Sequence, residues 1–523
     1  MQQGDPLGPL LFSLGVDNVA RSVTSPLNIW YLDDATIGGT PASVLNDLSR
    51  LIPGLAAIGL IVNPAKSEII NVDCDPADFQ GVVSAVNEVL DGVRVTPRDD
   101  LIILGSPILQ PAIRQDLETK ATILQAMSDR LQQIDAHPAL FLLRNCFATP
   151  KLLFGLRSAP TYGQTHELQV LDNAIRRSAE EICNTSFDDT SWRQATLPIG
   201  LGGIGLRLPS DIALPAYSSS LLASRPLVEG ILHNSIESPL DQAVSNITSC
   251  WSAQDLVLPT DPSRQQNWDT ILCQKKFEVL KNSCDQHRLA CLSAASKPHS
   301  GAWLSAIPSS SIGTLLDDDC HRYAIAMRVG ARVCERHRCR CGRQVDEFGL
   351  HPLSCIRSAG RFPRHHAIND IVRRALDKAG FYSILEPVGL DRGDGKRPDG
   401  MTVFPYSAGR PLVWDATCPD TFAPGSLAKS AADAGHAARA AEERKCEKYA
   451  SLSSRFTFTP VSVETTGVFG PRSLEFLEKL GRQASRRSGD PRESAWLFQR
   501  ISIAVARGNV LCLLVAGREE WEH

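Results

Sequence analysis

The run Lys396-Arg397-Pro398-Asp399-Gly400, followed by Pro411-Leu412-Val413-Trp414-Asp415-Ala416-Thr417, decides how the C-terminal third of this chain is read. Proline cannot donate to a sheet ladder, so Pro398 confines Asp399 to a turn or a strand edge. Leu412, Val413 and Trp414 make an apolar strand that delivers Asp415 at its end. Two carboxylates set this way can share one hard cation. Glu386, in Leu385-Glu386-Pro387, is a further acid in the preceding element. Downstream, about Ala431 to Leu452 reads as a helix. Lys445 and Lys448 lie three residues apart on it and share a face beside Tyr449. The order helix, strand, strand, helix, strand, helix across Pro363 to Ala506 predicts an α/β domain.

Arg364-His365-His366 and Asn369 precede these acids. Further upstream, Cys339-Arg340-Cys341 and His351-Pro352-Leu353-Ser354-Cys355 give the spacing C-x-C-x9-H-x3-C. Four N and S ligands in two close pairs suit a tetrahedral structural zinc, with Cys334 or His337 able to replace one partner. Arg332, Arg336, Arg338, Arg340 and Arg343 crowd the motif, and guanidinium groups suit bidentate phosphate contact. His321 to Gly380 carries 13 basic and 5 acidic side chains, a local +8. That block is either the footprint of a polyanion or an Arg-rich solvated surface.

The N-terminal region is the electrostatic opposite. Met1 to Leu109 holds 5 basic and 13 acidic side chains. Leu27 to Ile37 reads as strand, turn, strand, broken at Asp33-Asp34. Ala42 to Ile58 shows a helical apolar face strained at Pro53. Leu101 to Leu109 reads as a hairpin turning at Gly105-Ser106-Pro107. Two adjacent carboxylates at the tip of an apolar hairpin repel each other. They make chemical sense where divalent metals meet substrate phosphates. Ile113 to about Glu181 is helical in pattern. Leu197 to Leu208 is glycine-rich without the ending of a phosphate loop, so a tight backbone turn is expected there. The stretch around Ser235 to Ser263 reads as a linker or variable region.

The 523 residues are 43% hydrophobic and 21% charged, with a net charge of −4, which excludes a disordered or collagen-like chain and predicts several domains. No apolar run approaches a membrane span, and Val510 to Ala516 reads as a buried element. No membrane partner and no secretory leader are expected. Fifteen scattered cysteines in so large a chain fit a reducing compartment, nuclear or cytoplasmic.

Taken together, Gln2-Gln3-Gly4-Asp5-Pro6-Leu7, Tyr31-Leu32-Asp33-Asp34, Asn63-Pro64 with Lys66, and Leu104-Gly105-Ser106-Pro107 resemble the palm of reverse transcriptases of the non-LTR retrotransposon type. The cysteine–histidine run is similar to the CCHC knuckle of site-specific elements of that kind. Asp399 and Asp415 resemble the two acids of a PD-(D/E)xK restriction-like endonuclease. The usual lysine is Thr417 here, and in the retroelement branch a helix lysine, Lys445 or Lys448, takes its role.

The resemblance implies a multidomain α+β and α/β protein. Its expected parts are a partial reverse-transcriptase palm (1–111), a helical thumb-like region (112–235), a linker/helical region (236–302), a basic region with the zinc knuckle (303–360) and a restriction-like endonuclease domain (361–523). Implied cofactors are Mg²⁺ or Mn²⁺ at Asp33, Asp34, Asp399 and Asp415, and Zn²⁺ at Cys339, Cys341, His351 and Cys355. Gln3, Gly4, Lys66, Arg336, Arg338, Arg340, Arg343, Arg364 and His365 are the implied contacts to target DNA and element RNA. The family's first metal-binding Asp lies upstream of the Gln-Gly motif, so an incomplete RNA-directed DNA polymerase centre joined to a DNA-nicking nuclease is expected. The alternative is a catalytically inactive remnant, or a domesticated nucleic-acid-binding protein.

Overall fold

The computed structural model describes residues 4–232, 237–390 and 397–517. Gln3 and Lys396 lie outside them. The protein is mixed α+β and mostly helical, with four two-stranded sheets and one four-stranded sheet among the described residues. It forms two compact units. One comprises Met1–Thr119 with Phe154–Glu167, the other Lys120–Leu153 with Leu168–His523.

In the first unit the strands Leu27–Tyr31 and Asp34–Gly38 pair antiparallel, from Leu27 opposite Gly38 to Tyr31 opposite Asp34. The loop is therefore Leu32-Asp33, and Asp34 opens the second strand. Leu32 adopts φ 54° to close this tight turn. The helices Gly8–Ala20 and Pro41–Ala57 bury Val16, Leu51 and Leu55, with Trp30 and Ile37 packed beside them. Pro53 is accommodated inside the second helix. Asp47 on that helix is 1% exposed. It accepts the backbone N–H groups of Thr24 and Ser25, which ties the helix to the chain entering the hairpin. Glu68–Ile70 and Arg94–Thr96 run parallel across the helix Pro76–Val89, a βαβ unit. The hairpin Ile102–Ile103/Ser106–Pro107 turns at Leu104-Gly105, one residue earlier than expected. Leu104 and Gly105 both take positive φ there.

In the second unit the four-stranded sheet has the order Thr457–Ser462, Leu412–Thr417, Gly400–Thr402, Ser383–Leu385. The first pair is parallel and the others antiparallel. Leu412–Thr417 is central, and its residues are buried from Leu412 to Ala416, as a strand covered on both faces must be. Leu412, Trp414 and Ala416 join a core with Ile368, Val372 and Leu376 of the helix Arg361–Lys378. Phe476 and Leu477 of Pro471–Ser488, and Phe498 and Ile501 of Glu493–Gly517, complete it. Period-two alternation turns Val413 and Asp415 to the other face. Gly400 lies opposite Trp414. A Cβ at Gly400 would come within 2.0 Å of the indole, so only glycine lets the ring cross this strand.

The glycine-rich segment is a turn, as expected. Gly202 and Gly205 have φ 88° and 81°, and a Cβ on Gly203 would meet the Leu197 carbonyl oxygen at 1.9 Å. The stretch expected as a linker contains the helix Glu237–Ser252, with Trp251 fully buried at 0% exposure. The expectation of no span-length apolar run also needs correction. Ala136–Ser158 and Glu493–Ala516 are long and apolar enough, by length and composition, to cross a membrane. The second reaches a mean hydropathy of 1.4 because the apolar pattern starts well before Val510, and 61% of it is buried inside the protein.

Candidate metal centres

Two clusters of metal-ligand side chains occur among the described residues: His365, Asp399 and Asp415, and Cys339, Cys341, His351 and Cys355. Within each, the donor atoms lie within 4.8 Å of one another.

The acidic centre is assembled by the sheet. Asp399 N–H donates to the Trp414 carbonyl at 3.1 Å, and the Asp399 carbonyl accepts Glu386 N–H at 2.8 Å. Its backbone is thus held between two neighbouring strands. One carboxylate oxygen, Oδ2, accepts the Ala416 N–H at 2.6 Å and faces His365 Nε2 at 3.0 Å. Asp415 is 3% exposed. Lys445 Nζ reaches its Oδ1 at 2.6 Å and Lys448 Nζ its Oδ2 at 3.4 Å. Both lysines project from the helix His436–Lys448. Lys448 Nζ also donates to the Tyr449 hydroxyl at 2.7 Å, which donates to the Arg397 carbonyl at 3.2 Å.

Two carboxylates this close repel, and burial sharpens the repulsion. The cations answer it. The Asp399 hydrogen bond raises the His365 pKa above its ordinary value against the opposing effect of burial. Burial pushes the Asp399 pKa up, but its hydrogen bond and charge contact with His365 outweigh this and leave it lowered. Asn369 sits behind the pair at 4% exposure. Its Oδ1 accepts the Trp414 indole N–H at 3.0 Å, and its Nδ2 lies 3.4 Å from the His365 ring. Two carboxylates and an imidazole, with a buried oxygen that a lysine now holds, are a donor set that fits a Mg²⁺- or Mn²⁺-type ion.

The sulfur centre stands on a hairpin. His337–Arg338 pairs with Gln344–Val345, and Gly342 turns the tip at φ 88°. Cys339 and Cys341 lie in the hairpin loop just before that turn, while the short helix His351–Ser354 and the residue after it bring in His351 and Cys355. Cys339 Sγ and Cys355 Sγ are 3.8 Å apart. A tetrahedron with Zn–S bonds of about 2.3 Å has an edge of about 3.8 Å, so this pair already fits zinc. Cys341 Sγ and His351 Nε2 are 3.0 Å apart, sharing a hydrogen bond, and an ion would part them by about half an ångström. The Arg343 N–H leads in lowering the Cys341 thiol to about 6, with help from His351, whereas burial pushes Cys339 up to about 11. Neither alternative ligand joins the group. Cys334 donates to the Asp346 carbonyl and His337 Nδ1 faces that of Glu335.

The remaining candidate residues fall differently. Asp33 and Asp34 are exposed, and no third metal-ligand side chain gathers at them among the described residues. Gly4 turns at φ 96°, and Lys66 is exposed at the end of the 3₁₀ turn Pro64–Lys66. Glu386 pairs with Arg397 rather than joining the acids. Arg338, Arg340 and Arg343 are exposed, and Arg336 is exposed but forked onto Glu347 at 2.7 and 3.0 Å. Arg364 is the correction. Expected at a phosphate, it is 2% exposed and donates to Asn509 Oδ1 at 2.6 Å. Its helix packs on Glu493–Gly517 at Gly508, where an added Cβ would meet Arg364 Cβ at 2.4 Å. His365, also expected as a nucleic-acid contact, is half-buried and faces Asp399. Its spacing from Lys448 or the acids gives no sign of this. The Asn369 spacing from His365, one helical turn, is the only local clue.

No family model matches the chain. Over 526 residues the chain is 23% identical to the retrotransposable element SLACS 132 kDa protein of Trypanosoma brucei gambiense. The similarity covers 98% of this chain, which spans 39% of the length of that relative. Extending along nearly the whole chain, it supports a retroelement-related protein.

Proposed function

We propose that this retroelement-related chain carries a metal-dependent DNA-nicking endonuclease of the restriction-like type in residues 361–523. The CCHC zinc knuckle and its arginines (303–360) would engage nucleic acid. Residues 1–111 would be part of a reverse-transcriptase palm with Asp33 and Asp34 at its hairpin, followed by thumb-like and linker regions. The nick would expose a 3′-hydroxyl to prime copying of element RNA. Such a protein would work in the nucleus or cytoplasm, where thiols stay reduced for zinc.

The observation that carries this reading is the convergence of His365, Asp399 and Asp415, with Lys445 and Lys448 at the Asp415 carboxylate. Asp399 and Asp415 would hold Mg²⁺ or Mn²⁺, which supplies Lewis-acid polarisation of a phosphoryl oxygen and a more acidic water. His365 orients Asp399. Lys445, now paired with Asp415, is placed to turn its charge toward a phosphate as the pentavalent state develops. Tyr449 fixes Lys448 beside it. Thr417 is not needed as a charge in this scheme.

The full chain, given supercoiled plasmid and Mg²⁺ or Mn²⁺, is expected to yield open circles that EDTA prevents. Asp399→Ala and Asp415→Ala are each expected to abolish nicking and to leave DNA binding largely intact, while Thr417→Ala changes the rate little. Absence of EDTA-sensitive nicking on any DNA tested would reject the nuclease and favour the nucleic-acid binder, in which Lys445 permanently neutralises Asp415.

A further inference from the structure

Outside the basic block at His321 to Gly380, the helix Pro471–Ser488 carries five basic and two acidic side chains. Its buried face is Ser473, Phe476, Leu477, Leu480, Gly481 and Ala484. Arg472, Lys479, Arg482 and Arg486 are all exposed. Their spacings of seven, three and four residues place them on one stripe, on the side turned away from the core. Glu475 lies within that stripe and Glu478 borders it at Arg482, which leaves the four cations a net two charges positive. The fourteen residue-to-residue steps from Arg472 to Arg486 span about 21 Å along the helix axis.

The start of the stripe is fixed to the candidate nuclease centre. Glu442 is buried on the helix that carries Lys445 and Lys448. It accepts Arg472 N–H at 3.2 Å and Ser473 N–H at 2.8 Å, closing the open N–H groups of the stripe's helix. The helix that bears the lysines therefore sets where the stripe begins. Arg472 Nη1 donates to Cys446 Sγ at 2.6 Å, while Lys479, Arg482 and Arg486 are little occupied by partners among the described residues. Arg482 meets Glu478 at 3.6 Å with 61% of its side chain exposed. Lys479 Nζ lies 5.5 Å from the Tyr406 ring centre. Surface pairs and contacts of this kind are worth little, so the charges stay available to a polyanion.

We infer that this stripe is a second phosphate track, which holds duplex DNA on the flank of the scissile site. Resting on the nuclease reading, it assigns a duplex that continues for about six base-pair steps along the helix, since about 21 Å divided by about 3.4 Å per step gives that length.

The test is the salt dependence of duplex DNA binding by the full-length triple variant Lys479→Gln, Arg482→Gln, Arg486→Gln. Each lost phosphate contact lowers the slope of log K against log salt by about 0.9 for B-DNA, so a decrease of about two to three is expected. Zinc content and the thermal midpoint check that the fold is intact. If the triple variant does not fold, Lys479→Gln and Arg486→Gln singly are each expected to lose about 0.9. A slope within about 0.5 of the parent in the folded variants overturns the track. A loss confined to single-stranded RNA overturns its assignment to duplex DNA. Asp399→Ala, measured alongside, reports on the nuclease separately, because its nicking can vanish while its salt slope stays that of the parent.

Discussion

The Asp33-Asp34 hairpin of the first unit and the Asp399/Asp415 centre of the second both bring two carboxylates together, in opposite surroundings. The first pair is adjacent in sequence, exposed at a two-residue turn, and solvated. The second is separated in sequence and joined by a strand pairing, with Asp415 at 3% exposure beneath two lysines and Asp399 against an imidazole. Water screens the first pair at little cost. The second must be balanced by named cations or by a metal, because buried charge without a partner is expensive. Proximity in the chain thus leaves one acid pair in water, whereas strand pairing brings the other together among cations.

The sharpest way to press this contrast is the sulfur centre, which is likewise assembled from separate segments. Cys341→Ser is expected to remove stoichiometric zinc from the purified protein, as read by elemental analysis, and to loosen Arg338 to Ser354. Unchanged zinc content in that variant would break the idea that assembly across a loop marks the site.

A smaller effect is expected where packing alone holds the acidic centre in register. Gly400→Ala forces a Cβ to within 2.0 Å of the Trp414 ring, and should lower unfolding free energy by about 3 kcal/mol. Asp33→Ala, on the exposed turn, should stay within about 0.5 kcal/mol of the parent. Denaturant titration of both variants checks the pair, and equal losses would contradict the comparison.

The smallest expected effect concerns other buried groups of the second unit. His137 and His321 stack at 4.9 Å with exposures of 3% and 1%. Burial, then the Arg144 and Arg507 charges, lowers the His137 pKa from 6.5 to about 4. Burial, then His137, holds His321 well below 6.5. The unfolded chain binds these protons near 6.5 while the folded chain refuses them. Their contribution to stability is therefore complete above that pH and drains away as pH falls toward 4. His321→Phe, which keeps the stacking, should make this acid slope shallower by up to about 1.4 kcal/mol per pH unit. Denaturant midpoints at pH 7 and pH 5 give the measurement, and parallel slopes would reject it.

Much of the local structure was legible because it depends on neighbours along the chain. Leu412-Val413-Trp414 marked a buried strand, and the cysteine and histidine spacing marked a four-ligand group. The glycine-rich turn was equally clear, and Lys445 and Lys448, three residues apart, do share the Asp415 carboxylate. The hairpins were read to within a residue. The tip of each shifted because positive φ at Leu32 and at Leu104-Gly105, not the proline or the acids, sets the turn. Tertiary structure alone decided that His365 meets Asp399 while its neighbour Arg364 points inward to Asn509. Adjacent residues on a helix project about 100° apart, so one can face a sheet edge and the next a packed helix. Which face is which depends on Gly508 and Trp414, residues remote in sequence, whose missing or bulky side chains fix how closely the elements approach.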